Sequence, residues 1–107
     1  MSTDYIVVFV TAPSREVGQA IGAQLVKRKL AACANILPEV ISIYRWEGEI
    51  QNDSEALLVI KTRRELLEQL IAAVEELHPY ELPEVIGLPI LAGSPRYLKW
   101  IGAETGA

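Results

Sequence analysis

The order in which hydrophobic periodicity changes along the chain constrains its fold more than any single motif does. Residues 5–12, YIVVFVTA, are β-branched and aromatic over the length of one strand, and Pro13 closes the run. Val17, Ala20, Ile21, Leu25, Val26 and Leu30 then recur at helical spacing. Ser14 stands where a cap belongs and Glu16 in the first turn, which predicts a helix over about 15–30. Gly18 and Gly22 inside that helix are expected to permit close packing rather than to hold phosphate.

From residue 33 the period becomes two. Val40, Ser42, Tyr44 and Trp46 fall on one side, and Ile41, Ile43 and Arg45 on the other. Pro38 interrupts the run and Glu47-Gly48 suits a tight turn, so a long bent strand and a hairpin are expected. The returning run EALLVIKT, 55–62, is too apolar to be half exposed and reads as a central strand. Thr62 and Glu65 have the spacing of a capping box ahead of Leu66, Leu67, Leu70, Ile71, Val74 and Leu77. This second helix should stop at His78, because Pro79 disfavours helical backbone at its predecessor. LPEVIGLPI, 82–90, has prolines near both ends and belongs on a sheet edge. Ser94-Pro95 opens a short last helix.

The resulting order, β-α-β-β-α-β plus a helix, is that of a ferredoxin-like split β-α-β domain of the α+β class. It predicts a four-stranded antiparallel sheet, two helices on one face and a short C-terminal helix. With 107 residues and half of them hydrophobic, the chain reads as a single domain over 1–107. No apolar run approaches membrane-spanning length, and no secretory signal pattern is seen. One cysteine, Cys33, fits a reducing compartment, and a cytoplasmic location is expected. A net charge of -4 argues against nucleic acid as a partner.

Chemistry has few places to reside. One cysteine and one histidine, His78, do not make a closed zinc site, although thiolate and imidazole are donors suited to copper. No nucleophile, base and orienting group assemble from the sequence, so no enzymatic activity is expected. Glu47, Glu49, Glu55, Glu81 and Glu84 near turns and strand ends read mostly as solvated surface. Lys61 interrupts the apolar run LLVIKT, either at an exposed strand end or pointing into a cleft.

The segments TAPSRE, LAACANI, SIYRWEGEI, EALLVIKT and HPYELPEVIGLPI, with YLKWI, resemble the CutA family, the divalent-cation tolerance proteins. The likeness runs in order from about residue 5 to 101. It implies a ferredoxin-like subunit, a tightly packed homotrimer, and a cytoplasmic role in tolerance of copper and other divalent ions, with no obligatory cofactor. Copper ligands proposed in the family lie where this chain has Val10, Leu77 and His78, so His78 is carried over, with Cys33 of LAAC the one available thiol. By fold-level analogy with the trimeric PII signalling proteins, an intersubunit pocket is expected near Trp46, Lys61, His78, Tyr80 and Glu84. A small-molecule-sensing or interaction trimer is the alternative to metal binding.

Overall fold

In a computed structural model, residues 3–106 are described. The elements are β1 (Tyr5–Ala12), α1 (Arg15–Lys27), β2 (Cys33–Trp46), β3 (Glu49–Arg63), a 3-10 turn (Arg64–Leu66), α2 (Leu67–Leu77), β4 (Val85–Pro89) and α3 (Pro95–Glu104). The strands form one sheet in the order β2-β3-β1-β4, with every neighbouring pair antiparallel. This is the ferredoxin-like arrangement that the periodicity predicts. The apolar run 55–62 lies in a central strand, and the proline-flanked strand lies on an edge.

Strand alternation divides the sheet into two faces. Ile6, Val8, Val10, Leu58 and Ile60 point to the face covered by α1 and α2, where they pack with Ile21, Leu25, Leu70 and Val74. Helix α1 sits close because Gly18 and Gly22 face the sheet. A Cβ on Gly18 would meet Leu58 Cδ1 at 3.2 Å, and one on Gly22 would meet Ala34 Cβ at 3.2 Å. These glycines, not Ala20 or Val26, occupy the buried stripe. The expected packing role of the two glycines therefore holds, while two residues of the predicted stripe face solvent.

Ser14 caps α1 as expected, its Oγ accepting the Val17 N–H at 3.2 Å. The helix ends three residues earlier than its apolar pattern. Lys29 adopts a positive φ of 60°, and Leu30 packs on the core from beyond the helix.

The capping box does not form. Thr62 is still in β3, fully buried, and its hydroxyl donates to the Leu30 carbonyl at 2.7 Å. Glu65 pairs instead with Arg63. The strand outcompetes the cap because Thr62, opposite Ile6, lies on the face that the helices seal.

Helix α3 contacts β3 and β1 from the other face. Arg63, placed there by alternation, holds the end of that helix through Thr105: Nε reaches Oγ1 at 2.9 Å and Nη2 reaches the carbonyl at 2.6 Å. Ile101 is buried, yet Leu37, Ile86 and Leu88 on the same face stay substantially exposed. The β2–β3 hairpin extends past the sheet as an arm. Glu47 and Gly48 close it with φ of 50° and 81°, the left-handed pair of a two-residue turn. Its register shifts between Leu37 and Val40, where Pro38 cannot donate to the ladder. Among the described residues, no helix is long and apolar enough to cross a membrane.

Candidate functional site

The main cleft opens where the base of the arm meets the loop after α2. Its volume is about 650 Å³, and its walls include Thr11, Ser42, Tyr44, Trp46, Glu55, Tyr80 and Glu84. Each wall has a local cause. Alternation puts Ser42, Tyr44 and Trp46 on one side of β2, and Ile43 and Arg45 of the other side also border the cleft near the end of the strand. Glu55 precedes Leu57 and Val59 on the face of β3 opposite the helices. The turn after α2 supplies Tyr80 and Glu84.

His78 anchors that turn. It terminates α2 in extended conformation, as Pro79 dictates. It is buried, with Nε2–H donating to the Thr11 carbonyl at 2.7 Å. Its Nδ1 accepts the Tyr80 N–H at 3.1 Å. The carbonyl can only accept, so the two bonds define the ring tautomer and occupy both nitrogens. The imidazole lies 4.6 Å from the Tyr80 ring, between centroids, and sets that ring in the cleft wall.

Tyr80 in turn donates its hydroxyl to Glu55 Oε2 at 2.8 Å. Glu55 is only 7% exposed and forms no ion pair among the described residues. The expectation that Glu55 is solvated surface is therefore overturned. The signal lay in its alternation with Leu57 and Val59, which marks a position on a packed face. Further along the wall, Tyr44 donates to Asp53 Oδ2 at 2.5 Å.

The cleft is electrically negative. Burial, then the Glu55 carboxylate, push the Glu84 carboxyl above the usual carboxylate range. Burial, the bond to Glu55 and its charge push the Tyr80 phenol well above its ordinary value. The bond to Asp53 raises the Tyr44 phenol.

Of the residues singled out from sequence, Trp46, Tyr80 and Glu84 meet in this cleft, and His78 stands behind Tyr80. Lys61 and Cys33 do not join them. They are cross-strand partners on the sheet face away from α1 and α2, where Lys61 Nζ donates to Asn35 Oδ1. Burial and the neighbouring Cys33 thiol raise the Tyr97 phenol on α3. Lys61 lies four residues along β3 from Leu57, the partner of Thr11, or about 13 Å at strand rise. Cys33 and His78 therefore do not converge within one subunit. Among the described residues no three His, Cys, Asp or Glu side chains group to hold a metal ion, and both His78 nitrogens are engaged. The donor set of the described residues does not fit a resident metal.

Sheet order and helix placement define a ferredoxin-like α+β protein with a cleft at the hairpin base. The profile of the CutA1 divalent ion tolerance proteins matches residues 6–104. A chloroplastic CutA protein from Arabidopsis thaliana is 53% identical over 94% of this chain, which spans 55% of that relative's length. The divalent-cation tolerance protein CutA of Thermus thermophilus is 47% identical, over 94% of this chain and 97% of its own. The crystal structure of CutA1 from Oryza sativa superposes with a TM-score of 0.92 at 46% identity, covering 96% of this chain and 94% of that one. The chain belongs to the CutA1 divalent ion tolerance family.

Proposed function

We propose that the protein acts in the response to divalent cations as a non-enzymatic homotrimer, and that it binds such ions weakly, copper(II) ahead of zinc or manganese. The observation that carries the assembly is the apolar surface one subunit leaves in water. Ile41, Ile43 and Ile50 on the arm are 72%, 68% and 69% exposed, and Leu37, Ile86 and Leu88 add an uncovered patch on the sheet. Large exposed apolar areas mark interaction surfaces, and pairing between copies would also cover the edge strands β2 and β4. The number three comes from the family resemblance. Weak binding follows from ligand count, since a metal at His78 must displace either the Tyr80 N–H or the contact with Thr11. The copper preference is that of nitrogen and sulfur donors in general. One unpaired cysteine supports a reducing compartment such as the cytoplasm, which subcellular fractionation would check.

Native mass spectrometry should report a species of three subunits. Titration calorimetry with copper(II) should give weak binding that falls further in His78→Ala. A monomer at micromolar concentration contradicts the assembly, and tight binding that survives His78→Ala contradicts the metal assignment.

A second reading, a trimer that senses a small molecule, is favoured by the cleft itself. A volume of about 650 Å³ with aromatic walls is of the size that holds small organic ligands.

A further inference from the structure

We infer that the cleft at the hairpin base is a binding site for a small organic cation, an ammonium group carried on an apolar body. This rests on the small-molecule reading of the cleft and is independent of metal binding.

Three observations converge on that chemistry. The first is charge. Glu55, Glu81 and Glu84 line the cavity against a single basic residue, Arg45. Glu55 is nine-tenths buried and no cation of this chain pairs with it among the described residues. Among the described residues its side chain accepts one hydrogen bond, from the Tyr80 phenol, which holds the carboxyl group in place. A buried carboxyl with no cation of its own beside open space is a ready partner for a cation.

The second is the wall. Tyr44, Trp46 and Tyr80 present three aromatic side chains to the same cavity. The negative π-face of an aromatic ring attracts an ammonium group and also accepts its hydrocarbon part. Two of the three rings are held by their hydroxyls, Tyr44 on Asp53 and Tyr80 on Glu55, so the wall is organised before a ligand arrives.

The third separates an organic cation from a metal ion. Hard divalent ions need several oxygens at about 2.0–2.6 Å from one point. Here Glu55, Glu81 and Glu84 line the cavity, and among the described residues no three potential ligands group closely enough to hold an ion. Dispersed negative charge with apolar walls suits a bulky, weakly hydrated cation better than a point charge.

The test uses the purified full chain carrying Trp100→Phe, which leaves Trp46 as the only indole. It is titrated with benzylammonium, with benzyl alcohol as neutral counterpart and benzoate as anionic counterpart. Saturable fluorescence change and calorimetric heat are expected with benzylammonium only. Glu55→Gln, which keeps an acceptor for the Tyr80 hydroxyl, should weaken binding about tenfold, the loss of one charge-assisted contact. Should Glu55→Gln fail to fold, Trp46→Leu on the exposed arm, read by calorimetry, should still weaken binding severalfold. Binding of benzyl alcohol or benzoate at least as tight as that of benzylammonium overturns the cation assignment while leaving a small-molecule cleft. Failure of all three to bind at millimolar concentration removes the cleft as a ligand site altogether. Affinity for benzylammonium unchanged by both Glu55→Gln and Trp46→Leu places its binding elsewhere and overturns the proposal.

Discussion

The two ends of the β2–β3 ladder have the same backbone pairing and very different environments. At the base, Ala56, Leu58, Ile60 and Thr62 are fully buried beneath the helices. On the arm, Ile41, Ile43 and Ile50 have equally strand-like side chains and stand in water. The alternation is continuous along β3, so alternation alone does not decide burial. A covering layer does: α1 lies over the base, its approach allowed by Gly18 and Gly22, whereas Ile41, Ile43 and Ile50 of the arm stay uncovered among the described residues. The arm is thereby left exposed, and the cleft forms at the boundary between the two regimes.

The largest effect that would sharpen this contrast is a cavity at the base. Ile60→Ala should cost about 2–5 kcal/mol, the usual loss for a large-to-small change in a sealed core. Denaturant unfolding at fixed protein concentration would measure it, since assembly makes the midpoint depend on concentration. A loss well under 1 kcal/mol would mean that the base is not the sealed region described.

Thr62→Val should come next, at about 1–3 kcal/mol, because it removes a buried hydroxyl and strands the Leu30 carbonyl. Glu65→Ala should change stability by less than about 1 kcal/mol, since its pairing with Arg63 is at the surface. Comparable losses from the two variants would restore the capping box that the spacing suggests.

At the boundary, Glu84 offers a pH test. Its folded-state carboxyl titrates above the ordinary value of 4.5, first because of burial and then because of Glu55. A group raised on folding favours the folded state while protonated, and that contribution is lost as pH rises through the folded-state value. Glu84→Gln should therefore unfold at higher denaturant than wild type at neutral pH, with the gap closing as pH falls towards 4.5. A gap that widens on acidification would reverse the sign and refute the burial argument.

The smallest effect on the subunit's own fold should come from the arm. Ile43→Ser removes an exposed side chain and should leave the helical circular dichroism signal unchanged. It should shift the subunit equilibrium towards monomer in sedimentation. An unfolded Ile43→Ser monomer would show that arm and base are not separable.

Much of this architecture was legible in the residues. The β-branched runs, Ser14, Glu47-Gly48, and the prolines at 79 and 89 act locally, through rotamer preference, capping and fixed φ, and the elements follow them. Trp46, Tyr80 and Glu84 were candidates through the fold-level analogy rather than through local preference, and the cleft brings them together. The misplaced residues are those whose role depends on a distant neighbour. Thr62 looked like a cap until Leu30, 32 residues away, claimed its hydroxyl. Glu55 looked solvated until Tyr80, 25 residues away, covered it. Lys61 had two readings that only the pairing with β2 and the contact with Asn35 could separate.

By itself, then, the sequence determined the kinds of elements, their order and the helix-stopping place of His78, because torsional preference and periodicity act over a few residues. The tertiary structure alone decided which face each alternating side chain would bury. It also separated Cys33 from His78 along the sheet, engaged both imidazole nitrogens, and left a buried carboxyl without an ion pair among the described residues in an aromatic cleft. Those outcomes depend on strand register and helix packing, where side chains far apart in the chain compete for the same space and the same hydrogen bonds.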